Sequence, residues 1–169
     1  MLQRFANLIS HARLEVRREA LDFFTDLVRS LHGDAKDRVL ERLDLIATAL
    51  FMLNHDTSTI AIEQTLALLE SCFYYEAENL PKKLRKWEND GEEIGQNTDW
   101  ALQLQPRWLI RFFACDGENI LISLRERYAH NPIIYEVVTN FEFRYFLLDL
   151  DQIEAFQQET IEKLRRMNE

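Results

Sequence analysis

The chain has 169 residues, a formal net charge of −9, and only four Gly and three Pro. A chain of this length fits a single domain over residues 1–169 and buries roughly 70% of the surface that its unfolded form exposes, so it needs neither a metal nor a disulfide to fold. The scarcity of turn residues argues against a β-sandwich and favours an all-α, antiparallel helical bundle. The negative charge disfavours nucleic acid and anionic membranes as partners and suits a basic protein partner or simple solubility.

Residues 1–80 predict a three-helix N-terminal half, and its first helix spans about residues 2–32. Apolar residues recur there at spacings of three and four, which draws one stripe along a helix that we expect to face the core. The stripe consists of Leu2, Phe5, Ile9, Ala12, Val16, Ala20, Phe23, Leu27 and Leu31. Gly33 is expected to end the helix in the C′ position, where a left-handed conformation is favourable for glycine.

Two further helices are predicted in this half. The second begins with Asp34 as its N-cap and ends near Asn54–His55. The segment 56–58 (Asp-Thr-Ser) supplies the N-cap of the third helix. This helix is expected to end close to Leu80, because Pro81 disfavours helical geometry in the residue before it.

Residues 81–99 predict a charged linker or loop between the two halves. The run PKKLRKW is basic and ends in an aromatic residue, Trp87, whereas the following residues 89–97 are acidic and contain two glycines. Positive charge beside a stacking aromatic is the chemistry of nucleic-acid binding. The run is short, however, and the chain is acidic, so contact with an acidic protein surface is the preferred interpretation.

Residues 100–169 form an aromatic-rich C-terminal half, organised around the segment Ile133–Phe156. As one continuous helix this segment has two apolar faces, which indicates neighbours on both sides. The first face contains Ile134, Val137, Val138, Phe141, Tyr145 and Leu148, and the second contains Phe143, Phe146, Leu150, Ile153 and Phe156. A break near 139–143 is the alternative, with FEFRYF as a strand.

In the region before Ile133, the sequence does not decide between helix and strand for one segment. RWLIRFFA after Pro106 fits a short helix or a buried strand, so an α+β fold with strands within residues 100–150 is the alternative fold class. For the next segment we expect Asp116 to cap a helix through Tyr128, rather than a hairpin turn at Asp116-Gly117.

His11 is the one histidine that the sequence places inside a helix, beside the apolar stripe. The stretch ISHARLEVRREAL resembles the helix that carries the acceptor histidine in histidine-kinase dimerisation domains, which implies phosphotransfer through His11. It departs from that pattern because no acidic residue follows the histidine and the arginine stands at another offset. The alternative is an exposed histidine that pairs with Glu15 four residues later.

Other chemistry has little support in the sequence. No HExxH, ExxH or HxH spacing occurs, so we expect no metal site, and the glycine patterns of phosphate and dinucleotide sites are missing, so we expect no cofactor. Cys72 and Cys115 belong to no CxxC pair and are expected to be buried, reduced thiols. No secretory h-region and no apolar span of about 20 residues is found, so we expect a cytoplasmic protein.

The function that we predict is non-catalytic: binding of another protein, with a basic partner favoured by the negative charge, or of a second copy of the chain. A subunit, an adaptor, or an acidic immunity- or antitoxin-like inhibitor fits this pattern. The predicted partner-binding residues are Phe143, Phe146, Leu150, Ile153, Trp100, Trp108 and Trp87. The alternatives are phosphotransfer through His11 and a helical enzyme that holds a small molecule in an apolar pocket along Ile133–Phe156.

Overall fold

A computed structural model of the chain describes residues 1–74 and 106–145, and isolated positions between Asp151 and Arg166. Within the two continuous ranges the fold is an all-α bundle with no β-strand, as predicted, and the α+β alternative is not supported. The helices are α1 (Leu2–Ala6), a 3₁₀ helix (Asn7–Ser10), α2 (Leu14–Ser30), α3 (Gly33–Leu43), α4 (Leu45–His55), α5 (Thr59–Phe73), α6 (Pro106–Ala114), α7 (Gly117–Arg127) and α8 (Pro132–Tyr145).

The prediction of one helix over residues 2–32 is wrong, because the helical conformation is interrupted between Ser10 and Leu14. His11 has extended backbone angles, with φ −64° and ψ 146°. The Arg17 guanidinium donates to the carbonyl oxygens of His11 and Ala12, each at 2.9 Å. Those carbonyls would otherwise accept from amides one turn later, so a side chain has replaced the backbone bonds of a continuous helix.

The same guanidinium makes a bidentate ion pair with Asp56 in the turn between α4 and α5. Arg17 Nε lies 2.8 Å from Oδ2 and Nη2 lies 3.0 Å from Oδ1. The two side chains are 13% and 2% exposed, so the pair is largely removed from water. Asp56 Oδ1 also accepts the backbone N–H of Ser58, and the Ser58 hydroxyl caps α5, which confirms the predicted capping segment.

The second and third helices also differ from their predicted bounds. Asp44, with φ 46° and ψ 49°, divides the second helix into α3 and α4, and the latter ends at His55 as expected. Gly33 does have the expected positive φ, 49°, but it is the first residue of α3 rather than the C′ residue of α2.

Helix α5 ends at Phe73, so the prediction that it ends near Leu80 is wrong. The buried Lys36 side chain reaches the end of this helix from α3. Its ammonium donates to the carbonyl oxygens of Ser71, at 2.7 Å, and of Tyr74. A cation at a helix C-terminus satisfies carbonyls that lack backbone partners and is favoured by the helix dipole.

An aromatic cluster joins the N-terminal helices to the C-terminal ones. Phe73 of α5 lies with its ring centroid 5.6 Å from Phe112, 6.0 Å from Phe141 and 5.3 Å from Tyr145. Gly117 opens α7 against this cluster, and a Cβ atom added there would lie 2.5 Å from the Phe112 ring. Only glycine therefore allows α7 to begin this close to α6.

Helix α8 confirms the described part of the prediction for Ile133–Phe156. Its first face is in the core, with Ile134, Val138, Phe141 and Tyr145 buried. The helix runs through 139–143 without the break that was considered. The side chains of the second face lie outside the described part of the chain.

We predict that Asp56→Ala lowers the free energy of unfolding by about 3 kcal/mol, because it leaves the Arg17 charge buried without its partner. Urea denaturation measures this change. Glu41→Ala is the matched control, since it removes a carboxylate whose ion pair with Arg107 is open to solvent, with side chains 69% and 56% exposed. The control should be indistinguishable from the wild type. A similar small loss in both variants would contradict a structural role for the Arg17–Asp56 pair.

Candidate functional site

His11 does not lie on a helix, so the prediction of a helix-borne histidine is wrong. The residue sits in the break before α2, and its Nδ1 accepts the backbone N–H of Arg13 at 3.1 Å. The ring therefore helps to hold the turn that starts α2. The geometry on which the resemblance to a phosphotransfer helix depends is absent.

A metal centre and a membrane-spanning helix are both absent from the part of the chain that the structure describes. In ranges 1–74 and 106–145 no group of three or more His, Cys, Asp and Glu side chains is arranged to hold a metal ion. No helix in the same ranges combines the length and the apolar character needed to cross a membrane.

Cys72 is buried, as expected, in the core between α5 and its neighbours. Burial raises the pKa of its thiol to about 12, and the nearby Lys36 charge acts in the opposite direction. A thiol with such a pKa is almost never ionised near neutral pH and is a poor nucleophile. Cys115 is half-buried, and both cysteines are free.

Glu142 is, besides Asp56, a carboxylate that is buried among the described residues. It lies on α8, where its Oε2 accepts from Arg125 of α7, and its Oε1 has no hydrogen-bond partner. Burial raises the pKa of this carboxyl, and the Arg125 guanidinium acts in the opposite direction. Perturbed carboxylates mark active sites in many proteins, but an ion pair between packed helices has the same effect.

A cavity of about 380 Å³ lies between α5 and α8, where the enzyme alternative places a pocket. Val137 and Phe141 contribute to its wall, and Glu63, Glu70 and Asn140 are its polar groups. These side chains offer carboxylates and an amide but neither a thiol nor an imidazole. A pair of the Ser-His or Cys-His type is therefore not present in its lining.

Trp108, one of the predicted partner-binding residues, is buried in the core. The side chain is 5% exposed, and its indole N–H donates to Asp37 Oδ1 of α3 at 2.9 Å. Since its apolar body and its single donor are both occupied within the fold, Trp108 belongs to the core. The other predicted residues, Phe143, Phe146, Leu150, Ile153, Trp100 and Trp87, have side chains outside the described part of the chain.

An open apolar groove lies instead between α1 with its 3₁₀ extension and α2. It has a volume of about 350 Å³ and is lined by Phe5, Leu8, Glu15, Val16, Glu19, Ala20, Phe23 and Phe24. The Phe5 and Phe23 rings stand at its mouth with centroids 6.0 Å apart, and these residues are 47% and 46% exposed. We call this surface the N-terminal groove.

The apolar stripe of α2 was expected to face the core, but part of it faces the N-terminal groove. Val16 and Phe23, assigned to a core-facing stripe, lie on the groove side and remain partly or largely exposed. The core is filled by Leu21, Phe24 and Val28, which lie further around the helix. Periodicity detected the stripe correctly but cannot say which neighbouring element covers it.

An acidic ridge runs along α2 beside the apolar stripe. Glu15, Glu19, Asp22 and Asp26 recur at spacings of four, three and four, and all four are exposed. Each of them immediately precedes a residue of the apolar stripe, which here consists of Val16, Ala20, Phe23 and Leu27. Neighbouring residues differ by about 100° around a helix, so the two rows run side by side. This paired spacing is the sequence signal that could have identified the groove.

Comparisons of the chain with protein-family models, with curated proteins and with solved structures find no match.

We predict that a thiol reagent such as 5,5′-dithiobis(2-nitrobenzoate) labels Cys115 in the native protein and leaves Cys72 unlabelled. Burial and the raised pKa both protect Cys72, so it should react only after unfolding in denaturant. The thiol count in the native and unfolded protein measures this difference, and Cys115→Ser serves as the control that should abolish native labelling. Rapid labelling of Cys72 in native Cys115→Ser would contradict the buried position.

We predict a pH signature for Glu142. The pKa of its carboxyl is raised in the folded protein, so Glu142 contributes most to the free energy of unfolding below the unfolded pKa of about 4.3. This contribution is lost as the pH rises through the folded pKa. The stability of the wild type relative to Glu142→Gln should therefore fall between pH 4 and pH 7. Urea denaturation at a series of pH values measures it. A relative stability that rises with pH would mean that the Arg125 pair outweighs burial.

Proposed function

We propose that the chain is a protein-binding module whose partner docks in the N-terminal groove. The observation that carries this proposal is the pair Phe5 and Phe23, whose rings are held almost half exposed at the mouth of the groove. Large apolar side chains next to one another on a surface mark interaction sites more often than isolated ones do. Aromatic residues are also enriched among those that dominate binding energy.

The shape of the groove fits a peptide segment better than a small molecule. The apolar stripe from Val16 to Leu27 is about 17 Å long at 1.5 Å per residue, which is three helical turns. A small molecule needs a site that encloses most of its surface, together with polar groups that fix its orientation. The polar side chains that line this groove, Glu15 and Glu19, stand on one side of it only.

The acidic ridge argues against nucleic acid and anionic membranes as partners. Four carboxylates are exposed on α2, and two of them, Glu15 and Glu19, line the groove. They repel the phosphates of nucleic acid and of anionic lipid. Charge thus leaves a protein surface as the favoured partner. The proposal keeps the predicted class of function and moves its binding surface from the aromatic C-terminal half to α1 and α2.

We predict that Phe23→Ala weakens partner binding at least about 30-fold, the loss typical when an interface aromatic of this importance is truncated. The partner would first be captured in the source cells by a photo-crosslinking phenylalanine analogue at position 23. The captured protein is then purified, and its Kd is measured by calorimetry against the wild-type chain and each variant.

Tyr135 provides the matched control for this experiment. It is 45% exposed on α8, almost the same as Phe23, and lies away from the groove. The analogue at position 135 should give no adduct, and Tyr135→Ala should bind as the wild type does. Equal affinity of Phe23→Ala and the wild type would overturn the proposal, provided that circular dichroism shows both variants folded.

A further inference from the structure

We propose that the occupant of the N-terminal groove is an amphipathic helix with a row of Lys or Arg beside its apolar face. This inference rests on the proposed function and names the chemistry of its partner. It is argued from the pairing of two rows on α2: the apolar stripe, Val16, Ala20, Phe23 and Leu27, and the acidic ridge, Glu15, Glu19, Asp22 and Asp26.

The spacing of both rows matches a helical partner. Successive members lie three or four residues apart, so each row rises along α2 by about 5 Å per member. A second helix that packs at a small crossing angle presents its own side chains with the same rise and can meet each member in turn. An extended segment repeats on one face about every 7 Å and would fall out of register within two contacts.

Glu15 and Glu19 line the groove, and Asp22 and Asp26 continue the acidic row along α2, where Asp22 Oδ1 accepts from Gln64 of α5 at 2.8 Å. Arg18 and Arg29 lie beyond the acidic ridge on the side away from the apolar stripe, and Arg29 Nε donates to Ser71 of α5 at 3.1 Å. Arg13 reaches Glu15 only at 3.9 Å, with both side chains 74% exposed. Such an exposed contact neutralises little charge, so the ridge stays negative.

The same ridge disfavours a second copy of this chain as the occupant. In a two-fold symmetric contact each α2 would meet the other α2, which brings two acidic ridges to one interface. Like charges at a forming interface oppose association, whereas a basic row placed beside the ridge forms ion pairs and speeds encounter. Charge complementarity therefore selects a different chain with a basic helix.

The test uses two designed peptides of about 16 residues with leucines at i, i+4, i+7 and i+11. The first carries lysines next to the leucine row, the second carries glutamates at the same positions, and both are stabilised as helices by a side-chain staple. Binding to the full chain is measured by fluorescence anisotropy at about 0.1 M salt, where the Debye length is about 10 Å.

The decisive comparison is a charge swap in the groove. We expect the lysine peptide to bind the wild type with a Kd below about 100 μM, and Glu15→Lys/Glu19→Lys to weaken it at least about tenfold. The glutamate peptide should show the reverse preference and bind the double variant at least about tenfold better than the wild type. Glu126→Lys/Glu136→Lys changes the net charge equally on α7 and α8, and it should alter either affinity by less than about threefold.

Each other outcome overturns the inference in a distinguishable way. Loss of binding in both double variants would show attraction to net charge alone, and lack of binding by the lysine peptide would remove the basic helix as occupant. If Phe23→Ala weakens both peptides while the charge swap has no effect, the groove docks apolar segments without charge preference. In that case the proposed function stands and this inference fails. A wild-type dimer that Phe23→Ala dissociates, detected by mass measurement in solution, would instead assign the groove to a second copy.

Discussion

The bidentate ion pair between Arg17 and Asp56 is the contact on which the N-terminal surface depends. Through the same guanidinium it holds the carbonyls of His11 and Ala12, and so it fixes the break that ends the 3₁₀ helix before α2 begins. In an unbroken helix over these residues, Phe5 and Phe23 would lie on one face but about five turns apart, so their rings would not meet. The break lets the N-terminal turns lie against α2, and the groove is the space left between them.

Cationic side chains also bind backbone carbonyl oxygens at the ends of other helices. Lys36 binds the final carbonyls of α5, and Arg127 of α7 donates to Leu53 O at 2.7 Å and Asn54 O at 3.2 Å at the end of α4. Each contact satisfies carbonyls that a helix leaves unpaired and places positive charge at the negative end of its dipole. Among the described residues these cations lie between helices, whereas the carboxylates of the ridge on α2 are exposed.

Local patterns in the sequence were sufficient for two features of the fold. The capping segment before α5 and the buried face of α8 follow from residues within a few positions of each other, and both are confirmed. The breaks were not predictable, because Arg17 and Asp56 are 39 residues apart and Asp44 contacts Arg111 of α6 across the fold at 2.9 Å. The apolar stripe of α2 was detected by its period but assigned to the core. Periodicity does not reveal that Leu21 and Phe24 are the residues of this helix that become buried.

Under the proposal, the one-residue offset between the two rows on α2 also lets the groove discriminate between partner helices. Apolar contact with Val16 and Phe23 is non-directional and would accept many amphipathic helices. Glu15 and Glu19 border that contact on one side, so any bound helix removes part of their water. A helix with basic residues on that side replaces the lost hydration with ion pairs, whereas an uncharged or acidic helix leaves the carboxylates without compensation. Under the proposal, the apolar stripe supplies affinity, and the ridge determines which helices bind and which of their faces point toward it.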